Sequence, residues 1–326
     1  MSKRILFLSK GEDSASTRYR ALQYFPLLRE YGFEVEHAPL AGGPRAYLRT
    51  LRRCARSDVV VVVRKTLPAP LRRVLRTVSR RLVFDFDDAI FCNTDGSPSA
   101  TREQRFAAMV RTSDHVFAGN AYLAERALRV NPAVTIIPTC IDVARYALAS
   151  KKPEERIDLV WIGSSSTRKY LLAALPALRL AAARIPGLRL KIIADFELSD
   201  PGVTTLAVPW NAATEAGELA AADIGIAPMR NDDWSRGKCA LKILQYMACG
   251  LPVVSSDAGV NAEVVEQGRT GYLVSDDEAW CQRLAELAAD AALRARLGAA
   301  GRQRVMANYS LEAVCGRLRS VFAGLS

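Results

Sequence analysis

The chain has 326 residues, of which half are hydrophobic and 24% are charged, so it has the composition of a globular protein with room for two domains. Its apolar runs fall well short of the roughly 18 residues of a membrane-spanning helix, and its first residues lack the apolar length of a secretion signal. Seven scattered cysteines and only two histidines predict reduced thiols and no zinc site. We therefore expect a cytoplasmic protein.

The net charge of +11 is unevenly distributed. Residues 1–145 carry 24 Lys/Arg against 14 Asp/Glu, whereas residues 146–326 carry 21 against 20. The segment 45–81 holds 12 cations and a single acid, Asp58, and accounts for the excess. The first half of the chain is thus predicted to present a basic surface.

Strand and helix patterns alternate along the first 145 residues. The five consecutive valines of Val59–Val63 are typical of a strand buried on both faces, and hence of a parallel sheet. Ser16 is expected to cap a helix that ends at Gly32. Other strands are predicted at 5–8, from Val35, and at 82–86, 115–118 and 134–137, with helices at 45–56, 68–81, 102–112 and 120–129. This order predicts a doubly wound α/β domain.

A second alternating series follows in the rest of the chain. Cys140–Pro153 lacks periodicity and is interpreted as an interdomain linker. Beyond it, strands are predicted at 158–162, 188–193 and 223–226, a long helix at 168–184, and a mostly helical tail from about 276. These patterns predict a second doubly wound domain over residues 155–305 and a last helix at 306–326.

The segment 237–256 carries the strongest pattern in the chain. Apolar residues between Leu241 and Ala248 recur at helical spacing, and Gly250 stands where a helix end needs a left-handed residue. Lys238 and Lys242 are four residues apart, so we expect them on one side of this helix. The free N–H groups and positive dipole end of a helix start, together with two cations, suit an anionic ligand.

This segment resembles the donor-site segment of family 4 glycosyltransferases, which have the two-domain GT-B fold. The family pattern ends in Lys-x-x-Glu-Tyr-Met-Ala-x-Gly-x-Pro-Val-Val, and the matching residues here are Lys242, Tyr246, Met247, Ala248, Gly250, Pro252, Val253 and Val254. Two later blocks, 259–265 with Asn261 and Glu263, and 268–274, follow in the family's order and extend the donor site. A generic Rossmann-like helix and strand remains the alternative interpretation.

The resemblance implies a fold in which two Rossmann-like doubly wound domains face a central cleft. Residues 1–145 would bind the acceptor, and residues 155–305 would bind a nucleotide sugar. In such enzymes the last helix, here 306–326, often packs back on the first domain. The nucleotide sugar is expected to be a UDP- or GDP-sugar.

The loop after the first strand of the second domain is a candidate site for the donor phosphates. Family members place a Gly-Arg pair here and a Lys a few residues later, which Gly163 and Lys169 match. The family's Arg is replaced by Ser164, and we expect Arg168, at the start of a helix, to take its place. The alternative is a solvated helix start with two surface cations.

The donor segment departs from the family at two carboxylates. The family's first Glu, which contacts the transferred sugar, is Gly237 here, and its second, which binds the ribose, is Gln245. Gln245 keeps groups that can hydrogen-bond ribose hydroxyls. We expect Lys238 and Lys242 to face the phosphates and Lys242 to stabilise the leaving diphosphate as a catalytic residue.

These departures leave other classes of function open. A protein that binds nucleotide sugars or glycans without catalysis would account for the missing Glu pair. A sugar-nucleotide epimerase would need carboxylates around the sugar, and Gly237 disfavours it.

Asp85, Asp87 and Asp88 stand together at the end of a predicted strand. Carboxylates this close repel each other, so they need a cation, an acceptor hydroxyl or a raised pKa. Asp87 and Asp88 are therefore candidate catalytic residues, as a base for the acceptor hydroxyl or as its binding groups. The alternative is a helix N-cap in a satisfied loop. A magnesium ion could use these oxygens, but no pattern fixes its ligands, and the resemblance implies that no metal or other cofactor is required.

Three further residues are predicted to contact the acceptor. Arg18 and Arg20 follow the first strand and could meet an acceptor phosphate, although an ordinary capped amphipathic helix explains them equally well. Asn120 opens a helix at a place where family members usually have Ser or Asn near the cleft. Helix capping alone explains this residue as well.

The basic helices predict a surface partner. Arg45, Arg49, Arg52, Arg53 and Arg56 share one helix face, and Arg72, Arg73, Arg76 and Arg80 repeat the arrangement. An anionic membrane would attract such a surface, from Arg45 to Arg81, by about 1 kcal/mol per cation. A lipid-linked diphosphate, an acidic glycan or a merely solvated face are the alternatives. Aromatic residues do not interleave with the basic runs, so no nucleic-acid partner is expected.

The sequence as a whole predicts transfer of a sugar from a nucleotide-diphosphate sugar to a hydroxyl of a glycan or lipid-linked acceptor, in cell-surface polysaccharide or glycoconjugate synthesis. Retention of the anomeric configuration is implied by the resemblance alone. The expected location is the cytoplasm, peripheral on the inner face of the membrane.

Overall fold

The computed structural model describes residues 2–12, 14–148 and 156–325. The chain forms two compact units. Unit 1 comprises Met1–Cys140, Asp232–Cys239 and Leu311–Ser326, and unit 2 comprises Ile141–Asn231 and Ala240–Ser310. Of the predicted linker, residues 141–148 lie in unit 2, whereas residues 149–153 and the predicted boundary at 155 lie outside the described residues.

Each unit contains one six-stranded sheet. The strands of unit 1 are β1 (Arg4–Ser9), β2 (Glu34–Pro39), β3 (Val59–Val63), β4 (Arg81–Phe86), β5 (His115–Ala118) and β6 (Val134–Ile136). Those of unit 2 are β7 (Ile157–Ile162), β8 (Leu188–Ala194), β9 (Thr204–Pro209), β10 (Ile224–Ala227), β11 (Val253–Ser256) and β12 (Gly271–Val274).

The α-helices of the described residues alternate with these strands. In chain order they are α1 (Ala15–Arg20), α2 (Phe25–Glu30), α3 (Pro44–Arg56), α4 (Ala69–Val78), α5 (Ala100–Thr112), α6 (Ala121–Leu128), α7 (Arg168–Arg184), α8 (Glu215–Ala220), α9 (Asp233–Arg236), α10 (Leu241–Ala248), α11 (Asn261–Val264), α12 (Asp277–Ala289), α13 (Ala291–Asn308) and α14 (Leu311–Gly324). None of them is long and apolar enough to cross a bilayer.

Both sheets are parallel throughout. The strand order is β2-β1-β3-β4-β5-β6 in unit 1 and β12-β11-β10-β7-β8-β9 in unit 2. The order in unit 2 reverses between β7 and β10, and ligands of open α/β sheets bind beyond the carboxyl ends of the strands at such a switch point. The predicted α/β class with two Rossmann-like sheets is confirmed.

The two sheets carry separate hydrophobic cores. In unit 1 the core includes the valines of β3, which are 0–1% exposed, and the inward face of α14. Phe322 of α14 lies with its ring centre 5.6 Å from that of Phe117, so the end of the chain completes the core of unit 1. In unit 2 the core includes Trp161 of β7 and the buried faces of α7 and α12.

One local prediction was wrong, and one strand was missed. The helix predicted from Ser16 to Gly32 is interrupted after Arg20, and α2 begins with Pro26 near its start. Proline has no N–H to bond to a preceding turn and is favoured in the first turn of a helix, where Pro26 lies in α2. The strand β9 was not predicted, because it is an edge strand whose residues are exposed or half-buried and whose pattern is therefore weak.

Candidate active site

The loop that follows β7 is tightly packed. A Cβ atom on Gly163 would overlap the Trp161 ring and would lie 2.8 Å from Thr167 Oγ1, so only glycine fits. The Ser164 amide donates to Thr167 Oγ1 at 3.1 Å, and the Ser165 amide donates to Asp195 at 2.7 Å. The loop is thus held by its own hydrogen bonds and leads directly into α7.

Two of the cations predicted to bind the donor make cation–π contacts with a pair of neighbouring aromatic rings. The Lys242 ammonium lies 4.5 Å from the centre of the Trp161 ring, and the Arg168 guanidinium lies 5.3 Å from the centre of the Phe196 ring. The two rings are 5.9 Å apart. Lys169 lies over the Tyr170 ring at 5.0 Å. The cations of the α7 and α10 starts are therefore fixed at the switch point of the sheet, where an anion would gain from both charge and helix dipole.

The helix α10 is anchored by a buried tyrosine. Tyr246 Oη accepts from the Ile162 amide at 3.0 Å and donates to the Ile226 carbonyl at 3.2 Å, which joins α10 to β7 and β10. Gly225 leaves the space that the Tyr246 ring occupies. This anchoring holds the first turn of α10, which carries Lys242, beside the loop after β7.

The other predicted donor residues have defined partners in unit 2. Gln245 is 3% exposed, and its amide donates to Tyr146 Oη at 3.1 Å. Asn261 is 4% exposed and donates to Ser255 Oγ at 2.8 Å, whereas the side chain of Glu263 is exposed. Their predicted contacts with a nucleotide stay predictions.

The prediction that Lys238 shares a helix face with Lys242 was wrong. The helix α10 begins at Leu241, and Lys238 lies before it, in unit 1. Its ammonium donates to both oxygens of Asp88, at 2.9 and 3.2 Å. The nearby Asp232 accepts from the Ser235 amide and caps α9. Gly237 packs against Ala89, whose amide nitrogen would lie 2.5 Å from an added Cβ.

Three neighbouring carboxylates of unit 1, Asp85, Asp87 and Asp88, are each paired with a cation. We call them the acidic cluster. Arg20 pairs with Asp85, and Arg64 lies 3.3 Å from Asp87 Oδ1 and 2.5 Å from Asp88 Oδ2. Burial alone would lower the pKa of Arg20, but Asp85 holds it well above the usual value. The cations remove the repulsion that the sequence alone left unresolved.

Arg64 reaches the acidic cluster from a strained backbone. Its φ is 56°, in the left-handed region that non-glycine residues rarely adopt. The Arg64 amide donates to the Asp85 carbonyl at 2.7 Å, which fixes the turn after β3. Asp87 and Asp88 are the two members of the cluster at the loop after β4, with side chains 15% and 8% exposed.

Two of the predicted acceptor contacts require correction. Arg20 is 1% exposed and donates to Asp85 and to the Ile137 carbonyl, so it ties α1 to the sheet and no acceptor phosphate can reach it. Asn120 is 3% exposed and its amide donates to the carbonyls of Arg236 and Lys238. Arg18 lies beside the Tyr19 ring at 5.7 Å, and its contact with an acceptor stays a prediction.

Sequence reasoning missed two residues of this site, Trp161 and Arg64. Both carried a signal: Trp161 is a large aromatic residue two positions before Gly163, and Arg64 directly follows five valines at the end of a buried strand. Within the described part of the chain, no three His, Cys, Asp or Glu side chains are grouped so that they could hold a metal ion.

Comparison with known proteins identifies the region that carries the donor candidates. Residues 146–290 match the family described as "Glycosyl transferases group 1". This part of the chain is similar to the group 1 glycosyltransferases. The matched residues include strands β7 to β12 and the two cations Arg168 and Lys242. The family match therefore covers the elements that carry the candidate donor site.

Two curated relatives and one solved structure show how far the similarity extends. The lipopolysaccharide core biosynthesis mannosyltransferase LpcC of Rhizobium leguminosarum bv. viciae is 36% identical over 102 residues, which is 31% of this chain and 28% of that protein. A GDP-mannose-dependent monoacylated alpha-(1-6)-phosphatidylinositol monomannoside mannosyltransferase of Corynebacterium glutamicum is 38% identical over 107 residues, 32% of this chain and 28% of that protein. The matches span only about a quarter of the length of the curated relatives.

The solved structure covers the whole fold. Anabaena HepE, determined in complex with UDP and glucose, superimposes with a TM-score of 0.71 over 99% of this chain and 100% of that chain, at 14% identity. At that identity the likeness shows the fold alone, a two-domain GT-B fold of Rossmann-like units.

Proposed function

We propose that this protein transfers a sugar from a nucleoside-diphosphate sugar to a hydroxyl acceptor, with the donor bound on unit 2. The diphosphate lies beyond the carboxyl ends of β7 and β10. Lys242, Arg168 and the N-terminus of α7 neutralise its charge, and Lys242 stabilises the diphosphate as it leaves. Glu263, whose side chain is exposed, contacts the nucleoside.

The observation that carries this proposal is the joint position of Lys242 and Arg168 on the Trp161 and Phe196 rings. Two helix starts bring a cation each to the switch point of a parallel sheet, within the segment that matches the group 1 family. Charge-assisted bonds to phosphate are each worth about 1.5–3 kcal/mol, so a diphosphate is the ligand for which this arrangement gains most.

A thermal-shift titration tests the donor site. UDP, GDP, ADP, CMP and their common sugar conjugates are added to the wild type, to Lys242→Ala and to Arg283→Ala, which removes a different cation that lies over an aromatic ring of unit 2, 4.7 Å from the centre of Tyr272. One diphosphate should raise the unfolding midpoint of the wild type and of Arg283→Ala, with affinity about tenfold or more weaker in Lys242→Ala. If no nucleotide raised the unfolding midpoint of the wild type, the proposed donor site would be contradicted.

The acceptor side of the proposal rests on unit 1. We propose that Asp87 contacts the acceptor hydroxyl, because both oxygens of Asp88 already accept from Lys238 and one also from Arg64. Retention of the anomeric configuration, membership in family 4 and transfer without a metal are proposed from the sequence resemblance. Retention is tested by proton NMR of the first product, and metal independence by turnover that persists after chelation.

We propose a lipid-linked acceptor and a peripheral membrane location from the basic surface of α3 and α4. Within the described residues, no ion pair or hydrogen bond is recorded for the side chains of Arg45, Arg49, Arg52, Arg56 and Arg73, and Leu48 and Val74 beside them are 51% and 44% exposed. Cations interspersed with exposed apolar side chains suit an anionic bilayer, at about 1 kcal/mol per cation near the surface.

Flotation with vesicles tests this location. Vesicles that contain anionic phosphatidylglycerol should carry the protein, whereas phosphatidylcholine vesicles should not. Arg49→Glu together with Arg52→Glu should abolish flotation. A matched double variant on a helix of unit 2, Arg294→Glu with Arg296→Glu, should leave it unchanged. Equal flotation of the two double variants would contradict the proposed surface.

A further inference from the structure

Eight residues interrupt unit 2. The chain leaves that unit after Asn231, passes through Asp232–Cys239 in unit 1, and re-enters at Ala240. Ala240 is the N-cap of α10, the helix that carries Lys242 in its first turn. The 232–239 segment therefore leads directly into α10.

The side chain of Asn120 binds the backbone of the 232–239 segment. Its side-chain amide donates to the carbonyls of Arg236 and Lys238, each at 2.9 Å. Its side-chain oxygen accepts from the Leu123 amide at 2.8 Å and caps α6. Every hydrogen-bonding group of the buried side chain is used, and two of the three bonds go to the 232–239 segment.

Side chains and close packing add to this hold. Lys238 pairs with Asp88 and lies over the Trp234 ring, with the ammonium 4.1 Å from the ring centre. Gly237 packs on the backbone of Ala89, and Cys239 Sγ donates to the Asp87 carbonyl at 3.4 Å. The segment is thus fastened along its length to the loop that carries the acidic cluster.

The residue that follows the segment is conformationally strained. Ala240 has a φ of 52°, a left-handed conformation that disfavours residues with a Cβ atom. Such a conformation persists only where its surroundings determine the backbone on both sides. On one side that support is α10, which Tyr246 anchors, and on the other it is the 232–239 segment.

We infer that Asn120 is a positioning residue for the donor site: it holds the 232–239 segment on unit 1 and thereby fixes the strained start of α10 from which Lys242 projects. The effect on donor affinity rests on the proposed function. The holding of the segment and of the α10 start does not, so the two are measured separately.

The test uses Asn120→Ser in the full chain. Serine is as good a helix N-cap as asparagine, so α6 keeps its cap, but a single hydroxyl cannot replace an amide that donates to two carbonyls. The matched control is Asn131→Ser. Asn131 is a buried asparagine of unit 1 whose amide donates to the Val110 and Ser113 carbonyls and whose oxygen accepts from the Ala133 amide.

Two readouts need no ligand. Trypsin cleaves after Arg236 and Lys238, the two residues whose carbonyls Asn120 holds, so native-state cleavage at these bonds should be at least fivefold faster in Asn120→Ser than in the wild type and in Asn131→Ser. Amide hydrogen exchange of residues 240–248 should also be faster in Asn120→Ser only. Equal cleavage and equal exchange in the three proteins would overturn the inference.

The third readout is affinity for the nucleoside diphosphate that stabilises the wild type. The dissociation constant should rise at least threefold in Asn120→Ser and stay within twofold of the wild type in Asn131→Ser. Faster cleavage and exchange with an unchanged dissociation constant would overturn the link to the donor site. If the wild type itself binds no nucleotide, the proposed function fails, while cleavage and exchange still decide whether Asn120 holds the segment and α10.

Discussion

The ammonium of Lys242 lies 4.5 Å from the centre of the Trp161 ring, which brings the first turn of α10 to the end of β7. Trp161 is fully buried, and its indole nitrogen has no hydrogen-bond partner within the described residues. Gly163 lies against the same ring. One side chain thus shapes the loop after β7 and receives the cation of α10, which are the two elements proposed to bind the diphosphate.

The Trp161 ring should set the affinity of the donor site. A cation–π contact is worth about 0.5–2 kcal/mol, so Trp161→Leu should weaken binding of the nucleoside diphosphate by about twofold to thirtyfold through loss of the ring face. Trp161→Phe keeps an aromatic ring and should lose less affinity for the nucleoside diphosphate. Calorimetric titration measures this, with Trp280→Leu, another buried tryptophan of unit 2, as the control for core damage. Equal losses of affinity in Trp161→Leu and Trp280→Leu would contradict the contact.

Gly237 should not tolerate any side chain. An added Cβ would lie 2.5 Å from the Ala89 amide nitrogen, so Gly237→Ala should lower the free energy of unfolding by about 1–3 kcal/mol through overpacking. Gly217 lies in α8, and a Cβ atom added there would have no other atom within 4 Å. Gly217→Ala should therefore raise the free energy of unfolding by about 0.5–1 kcal/mol. Chemical denaturation measures both. For the same reason Gly237→Glu should not increase activity, although it restores the carboxylate of the family pattern.

The strain at Ala240 should be relieved by glycine. A left-handed conformation costs a residue with a Cβ atom about 1–2 kcal/mol, and the greater freedom of glycine in the unfolded chain returns part of that, so Ala240→Gly should raise the free energy of unfolding by about 0.5–1 kcal/mol. Ala248→Gly, in the last turn of the same helix, should lower it by about 1 kcal/mol. Destabilisation by both changes would show that the backbone at Ala240 is not strained.

The stability of unit 1 should decrease in mild acid through His115. Burial lowers the pKa of His115, whose Nε2 is 2.9 Å from Thr135 Oγ1. The unfolded chain therefore binds a proton more readily than the folded chain, and stability is lost as the pH falls below the usual histidine pKa of about 6.5. His115→Gln should show a smaller loss of unfolding free energy between pH 7 and pH 5.5 than the wild type. Parallel pH profiles for the two proteins would contradict this assignment.

Much of the architecture could be predicted because hydrophobic periodicity reports burial. Helix α7 and strands β3 and β5 have the predicted bounds, since each is long or continuously apolar and lies in a sheet or against one. Edge strand β9 could not be recognised, because half-exposed residues give no such signal. Pro26, in the first turn of α2, is a local signal of the break in the first helix, and the prediction from apolar spacing passed over it.

The candidate site was less predictable, since its partners are distant in sequence. Lys242 and Trp161 are separated by 81 positions, and Lys238 and Asp88 by 150, so no local pattern joins them. Lys238 illustrates the limit: its spacing from Lys242 fits one helix face, but the αL residue Ala240 lies between them and directs Lys238 to the acidic cluster. The four charged pairs of that cluster, including Arg20 with Asp85, depend on tertiary packing alone.

The most direct test of the account is turnover. The nucleotide sugar whose diphosphate stabilises the wild type is incubated with a membrane lipid extract, and release of free nucleoside diphosphate is followed for the wild type, Lys242→Ala and Arg283→Ala. The account predicts acceptor-dependent release by the wild type and by Arg283→Ala, and a loss of about tenfold or more in kcat for Lys242→Ala, because leaving-group stabilisation is removed. Tight diphosphate binding by the wild type, with no release above that of Lys242→Ala, would contradict glycosyl transfer and leave a nucleotide-sugar-binding protein.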